Sequence, residues 1–509
     1  MLISLLQGAA AFILSLTQAS GDAIPDFSHV GYRHSDSGIP TYPVVKTLKA
    51  PADSIDALPM IQEAIDSFSG AEPGMILLEA GTYYCSAPVH LNKSNLVLSG
   101  EGEKTRIVAT YRTSDDMVII GTGKGRKLKT KQTAAVTEDY VPVGRMYAEV
   151  DHPEYFSPGD HIVIYRPGTA EWIHDIRMDS IADNYDKPVK QWVPEDYNLQ
   201  WEREVTGVQG NRVYFDNPVV MALDRKYGGG SLIPCATERI QESGIENLCL
   251  DTVFDPAPKD KNGNCIDENH ARRAVRFASA ENCWARKVVT HHFAQASICF
   301  FKRTRLCTAV DCESLEPVSK ITGGRRYAFY FCGGECCLFL RCHCDSDRHQ
   351  FVSSGRTCGP NAVVDCWSTN PLSNIGPHNN WGTGILYDRL RSEGGKLTVQ
   401  DRNSWGGGHG WSGANMVFWN CETSWIVCQS PWASAQNWAV GCYGEFMKVS
   451  RPDGPWEKGV WENSNAWRIT GPQRPRGVIV SHGTHVDPPS LYWWQLEQRR
   501  QSALDKMKN

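Results

Sequence analysis

Met75-Ile76-Leu77-Leu78-Glu79-Ala80-Gly81-Thr82-Tyr83-Tyr84 places a short apolar run against a glycine turn and a second extended stretch. A run of this length closed by a turn reads as a buried strand. Val89-His90-Leu91 and Asn95-Leu96-Val97-Leu98 follow as further short strands. Ser99-Gly100-Glu101-Gly102 then turns the chain, and Thr105-Arg106-Ile107-Val108 resumes it. Upstream, Leu58, Ile61, Ile65 and Phe68 recur at helical spacing. Pro59 is tolerated only near a helix start, so the helix begins around Ala57 with Asp56 as N-cap.

This helix and these strands resemble the amino-terminal end of the pectate-lyase-like β-helix superfamily, in which a helix caps the open end of a solenoid. The resemblance covers residues 51–110. It implies an all-β chain folded as a right-handed parallel β-helix. Irregular repeats further on agree with a solenoid. Gly244-Ile245-Glu246-Asn247 opens one coil, and cysteines at 283, 312, 342 and 366 step by 29, 30 and 24 residues. A further step of 55 to Cys421 leaves room for two coils, with Ile385–Arg391 the unmarked one. Periods of roughly 20–50 residues are the mark of stacked repeats.

Between these parts, residues 121–235 have another texture. A basic run, Lys124–Lys131, precedes alternating segments at Tyr147–Val150, His161–Tyr165, Glu204–Val208 and Arg212–Phe215. Turns at Pro158-Gly159-Asp160 and Gln209-Gly210-Asn211 separate them, which makes this a β-rich insertion. The expected organisation is a signal segment at 1–19, an N-terminal cap with first coils at 20–120, the insertion at 121–235, a β-helix body at 236–445 and a C-terminal cap or tail at 446–509. The tail is expected to cover the last coil and to end in a polar helix.

Composition limits the function. Hydrophobic residues make up 41% and charged residues 21% of the 509, with a net charge of −5, so the chain folds and carries no basic field for nucleic acid. Leu2–Leu6, Ala9–Leu16 and the small-x-small site Thr17-Gln18-Ala19 read as a secretory signal, so export to the extracellular space or periplasm is expected. No stretch is long enough for a membrane span, and a monomer is expected. Seventeen of 18 cysteines fall between Cys235 and Cys442, where export would oxidise some of them to disulfides of undetermined pairing.

The chemistry gathers between 345 and 411. If the chain is extended there, Asp345, Asp347 and His349 share an outward face, Arg348 takes the other, and Arg356 follows the turn. Gly376-Pro377-His378-Asn379-Asn380-Trp381 and Gly406-Gly407-Gly408-His409-Gly410-Trp411 each set a histidine among glycines and a tryptophan. Tyr387, Arg389 and Arg391 share a face in the intervening coil. Eight of 17 tryptophans lie between Trp367 and Trp438, and indole rings suit the apolar faces of sugars.

The resemblance implies a polysaccharide partner and either a lyase or a glycoside hydrolase, with calcium sometimes assisting the lyases. A lyase neutralises a uronate carboxylate, removes a proton and protonates the leaving oxygen. The cationic, imidazole-rich balance favours that reaction on an acidic chain. His349 or His378 would be the base, Arg348 or Arg356 the carboxylate partner and Tyr387 the acid. Asp345, Trp381, Arg389, Arg391, His409 and Trp411 would bind substrate. A hydrolase would instead draw two carboxyl groups from Asp345, Asp347, Asp388 and Asp401. A non-catalytic carbohydrate-binding β-helix is the third reading.

Overall fold

Gly74–Leu78 pairs in parallel with Leu96–Ala109, which pairs in parallel with Gly244–Thr252, which in turn pairs with Trp284–His291. The same parallel stacking continues to the end of a 26-stranded sheet. The chain is thus a right-handed parallel β-helix. The structure, a computed structural model, describes residues 2–52, 55–181, 188–446, 450–451, 454–455 and 474–508.

From Thr308 onward each coil contributes three strands. Row one contains Thr308–Val310, Leu338–Leu340, Asn361–Val364, Ile385–Asp388, Val417–Trp419 and Trp438–Val440. Row two contains Glu313–Leu315, His343–Asp345, Trp367–Thr369 and the first residues of Arg391–Val399, Glu422–Cys428 and Tyr443–Phe446. Row three runs through Ala296–Phe301, Phe329–Cys332, Phe351–Ser353 and Asn374–Pro377. A single left-handed residue makes each corner between rows one and two: Asp311, Arg341, Asp365, Arg389 and Asn420 have φ between 48° and 55°. Such a conformation costs non-glycine residues of order 1 kcal/mol each. It persists because the stacked coils above and below fix it.

Equal positions on neighbouring coils lie one strand spacing apart, so like side chains stack inside. Phe329 and Phe351 lie 5.1 Å apart with planes 7° from parallel. The cysteines stack as well, in two series rather than one. Cys312, Cys342 and Cys366 follow the left-handed corner, whereas Cys283 precedes row one together with Cys307 and Cys337. The step from Cys283 to Cys312 therefore joins different corners of the coil. The expected disulfides are not formed: all 18 cysteines are free thiols, most of them buried. A thiol facing inward in a coil core packs as a small apolar group.

The capping helix spans Leu58–Asp66 and buries Ile61, Ala64 and Ile65 over the first coils. Asp56 accepts the Leu58 N–H, although Ala57 occupies the cap position itself. An antiparallel sheet stands beside the solenoid. His161–Arg166 lies between Leu199–Gln209 and Ser231–Thr237, and Arg212–Phe215 pairs beyond. Buried charges fasten this sheet to the coils: Arg305 pairs with Asp216 and Glu281, and Glu202 pairs with Arg239.

Of the tail, Val478–Val480 stacks in parallel on Trp438–Val440 of the last coil. Most of residues 447–473 lie outside the described residues, and the chain ends in the helix Leu491–Lys508. This helix lies along the outer side of row one, where Leu491, Tyr492 and Leu496 join Val310, Leu340, Val364 and Trp419 in one apolar cluster. Row one carries hydrophobic residues on both faces, so its outer face must be covered. Phe12 of the helix Leu2–Ser15 adds to the same cover, 6.1 Å from Trp419. Among the described residues no helix is long and apolar enough to cross a membrane.

Candidate functional site

Row two alternates strictly. Ser314, Cys344, Ser368 and Ser392 point inward and are buried, which turns their neighbours outward. The outward residues stand in direct register: Glu313 with His343, His343 with Trp367, Trp367 with Arg391, Arg391 with Glu422, and Glu422 with Tyr443. At about 4.8 Å per coil this ladder extends roughly 24 Å. Trp367 and Tyr443 are each 43% exposed, so two aromatic faces look out of it three coils apart.

The ladder floors a groove. One cavity of about 760 Å³ is lined by Asp311, Glu313, Arg341, Asp365, Trp367, Arg389, Arg391 and Glu393. A second of about 530 Å³ shares Arg391 and Glu393 and adds Glu422, Ser424, Tyr443 and His485. A register shift between Ser392 and Lys396 bulges the strand at Glu393, with Gly394 at φ 76° turning the bulge. Bulges re-aim side chains in this way.

Most groove charges are paired. Asp311 holds Arg341 at 2.7 Å, Asp365 holds Arg389 at 2.9 Å, Glu313 meets His343 at 3.3 Å and Glu422 meets His485 at 3.5 Å. Among the described residues the Arg391 guanidinium and the Glu393 carboxylate have neither an ion pair nor a side-chain hydrogen bond. These two lie on one coil, next to Glu422 on the following one.

Of the residues expected from sequence, Arg389 and Arg391 line the groove and Asp345 lies at its edge. Asp345 accepts hydrogen bonds from Thr369, Asn370 and Ser346, which hold its carboxyl below the ordinary range against the opposing effect of burial. The shared outward face of Asp345, Asp347 and His349 does not form. Ser346 is left-handed at φ 58°, so the strand ends at Asp345 and the alternation breaks there. Asp347 turns inward, 1% exposed, and accepts the Ser314 hydroxyl. Burial pushes its carboxyl up to about 8.

Tyr387 is not placed to act as an acid. It lies in the coil core and donates to the Phe351 carbonyl. Trp381 and Trp411 are fully buried between insertion and coils rather than facing a ligand. Trp172 lies 5.0 Å from Trp381, and Trp411 donates to the Ile176 carbonyl. Arg356 reaches the insertion as well, donating to the Asp196 carbonyl and lying over Tyr197. Asp388 is buried under Ser490 and Tyr492, and Asp401 pairs with Arg474. Neither belongs to the groove.

His349, His378 and His409 do come together, with Arg348 beside them, but away from the groove and largely covered. Tyr327 and Arg402 complete that cluster. Among the described residues no three His, Cys, Asp or Glu side chains are grouped to hold a metal ion.

The sequence reading gave no role to Glu313, Glu393, Glu422, Tyr443 and His485, and counted Trp367 only among the tryptophans suited to sugars. Their signal was positional: Glu313, His343, Trp367, Glu422 and Tyr443 each directly follow a stacked cysteine.

No family model matches the chain, and no curated protein sequence matches it. Solved structures with similar folds include the tailspike protein of Pseudomonas phage LKA1, at 13% identity and TM-score 0.46, covering 78% of this chain and 58% of that one. The tailspike of Escherichia coli bacteriophage HK620, determined with a pentasaccharide, has 10% identity and TM-score 0.42, covering 86% and 64%. Polygalacturonase from Erwinia carotovora ssp. carotovora has 10% identity and TM-score 0.38, covering 82% and 96%. The chain spans about three-fifths of the length of these phage proteins.

Proposed function

We propose that this protein is exported, holds an extended polysaccharide strand along the row-two groove and hydrolyses it with Glu393 and Glu422. The observation that carries this reading is the ladder itself. Two exposed carboxylates lie on neighbouring coils beside Arg391, between the aromatic faces of Trp367 and Tyr443. Hydrolysis of a glycosidic bond needs two such carboxyl groups, one to protonate the leaving oxygen and one to attack or to activate water. The rings offer apolar faces to sugars on either side.

Elimination needs a base and an acid beside the uronate proton. His349, His378 and Tyr387, expected from the sequence for that task, lie outside the groove, and the groove's own His343 and His485 are paired with Glu313 and Glu422. Two of the three groove arginines are committed to Asp311 and Asp365. Arg391 is left to meet an acidic substituent, which suits a chain carrying occasional acidic sugars better than a continuous polyuronate.

The test is a panel of polysaccharides incubated with the full chain and followed by reducing ends and ultraviolet absorbance together. Reducing ends should rise with no absorbing product. Glu393→Gln and Glu422→Gln should each lower turnover by about 10²–10⁴ while saccharide still binds. An unsaturated, absorbing product would overturn the hydrolytic reading, as would full activity in both variants.

A further inference from the structure

Tyr327, His349, His378 and His409 come from successive coils and lie ring against ring. Their centroids are 5.1, 4.6 and 5.0 Å apart in that order. None of them lines the groove.

Hydrogen bonds locate the protons. The Asn374 carbonyl, 2.6 Å from His349 Nδ1, can only accept, so that nitrogen carries the proton and Nε2 presents a bare lone pair. Nε2 is buried without a partner, on a residue only 1% exposed. Arg402 Nη1 donates to His378 Nδ1 at 2.8 Å and to the His378 carbonyl. The His378 proton therefore sits on Nε2, facing the Tyr327 oxygen at 3.2 Å. Both rings are neutral.

The neutrality has a cause. Burial and the guanidiniums of Arg348 and Arg402 hold all three imidazoles below the ordinary histidine range. Arg348 itself has a buried Nη1 with no hydrogen-bond partner, and among the described residues it makes no ion pair. Arg348 is half-buried, but its unused Nη1 and the unused Nε2 of the adjacent His349 are both buried, and such atoms are costly unless something supplies a partner.

We infer that Arg348 and His349 form an oxyanion site, which binds a carboxylate, sulfate or phosphate group together with one proton. The oxyanion would accept from Arg348 Nη1. Its negative charge would reverse the local preference, so that a proton taken from solvent settles on His349 Nε2 and is donated to a second oxygen. Both bonds are then charge-assisted. His409 and Arg348, the partly exposed members, mark the approach.

Calorimetry with sodium sulfate on the full chain tests this, run in two buffers of different ionisation enthalpy. Sulfate should bind with uptake of about one proton and weaken about tenfold per pH unit as pH rises above neutrality. Arg348→Gln should weaken binding at least tenfold. His349→Gln, whose amide can donate without a proton from solvent, should keep binding and lose its pH dependence. Glu393→Gln should bind sulfate as the native chain does, which separates this site from the groove. A uronate oligosaccharide that displaces sulfate makes a glycan acid the ligand, and sulfate that is not displaced makes the free ion the ligand. Either result upholds the site. No binding at millimolar sulfate, binding without proton uptake, or binding unchanged in Arg348→Gln would overturn it.

Discussion

His343 lies flat on Trp367, with ring centroids 5.1 Å apart and planes 13° from parallel. The imidazole is itself fixed, Nδ1 by Glu313 and Nε2 by the Thr369 hydroxyl at 3.2 Å. One edge of the indole is thus held while the ring stays 43% exposed. Trp367→Ala should weaken saccharide binding by about 1–2 kcal/mol, or roughly five- to thirtyfold. Thermal stability should shift little, since the ring fills no core. Unchanged affinity in a direct binding assay would remove Trp367 from the groove's function.

Asp347 should make the protein less stable as pH rises. Its folded carboxyl is pushed up to about 8 by burial, against about 4 when unfolded. The folded state therefore binds the proton more tightly. That contribution is fully present below about pH 4 and is lost as pH rises through about 8. Asp347→Asn keeps the Ser314 hydroxyl bonded and removes the titration. It should raise the melting temperature at pH 8 by several degrees and leave it nearly unchanged at pH 4. Equal shifts at both pH values would contradict the assignment.

The thiols should count as 18 after denaturation without reductant. In the native state only the partly exposed Cys265 and Cys332 should react promptly with an aromatic disulfide reagent. Cys332 should lead, because a hydrogen bond from Cys299 lowers its thiol to about 6 even though burial opposes this. A denatured count short of 18 would reveal disulfides.

How far the sequence could be read follows from these particulars. The strands from Met75 to Val108 and the helix at Leu58 were legible because strand length, turn residues and helical period are local properties. The solenoid body was legible from cysteine spacing, although Cys283 belongs to a different corner from Cys312. The direction of side chains was not legible. One left-handed residue, Ser346, reverses what alternation gives for Asp347, and local sequence does not announce such a corner. Burial by a distant segment was equally hidden: Trp381 and Trp411 look like platforms until the insertion's Trp172 and Ile176 cover them. The histidine row was found as residues and misread as an open site, because what covers it comes from elsewhere in the chain.

Arg305 provides the strongest test of how insertion and solenoid are joined. It is 1% exposed and pairs with Asp216 from the insertion and Glu281 from the preceding coil. Both carboxyls are held below their ordinary range by this cation, against the opposing effect of burial. Arg305→Met removes the cation and leaves two buried carboxylates, a change that costs about 3–5 kcal/mol where a buried pair is broken. The lost stability should depend on pH in a defined direction. Depressed carboxyls contribute above their unfolded values and lose that contribution as pH falls, so the native protein should lose more stability than the variant between about pH 5 and pH 3. Denaturant unfolding at pH 7 and pH 4 measures both quantities. Adding Asp216→Asn and Glu281→Gln to Arg305→Met should restore part of the loss at pH 7, because the buried charges are then gone. A triple variant no more stable than Arg305→Met alone would show that the arginine acts through packing rather than through its charge.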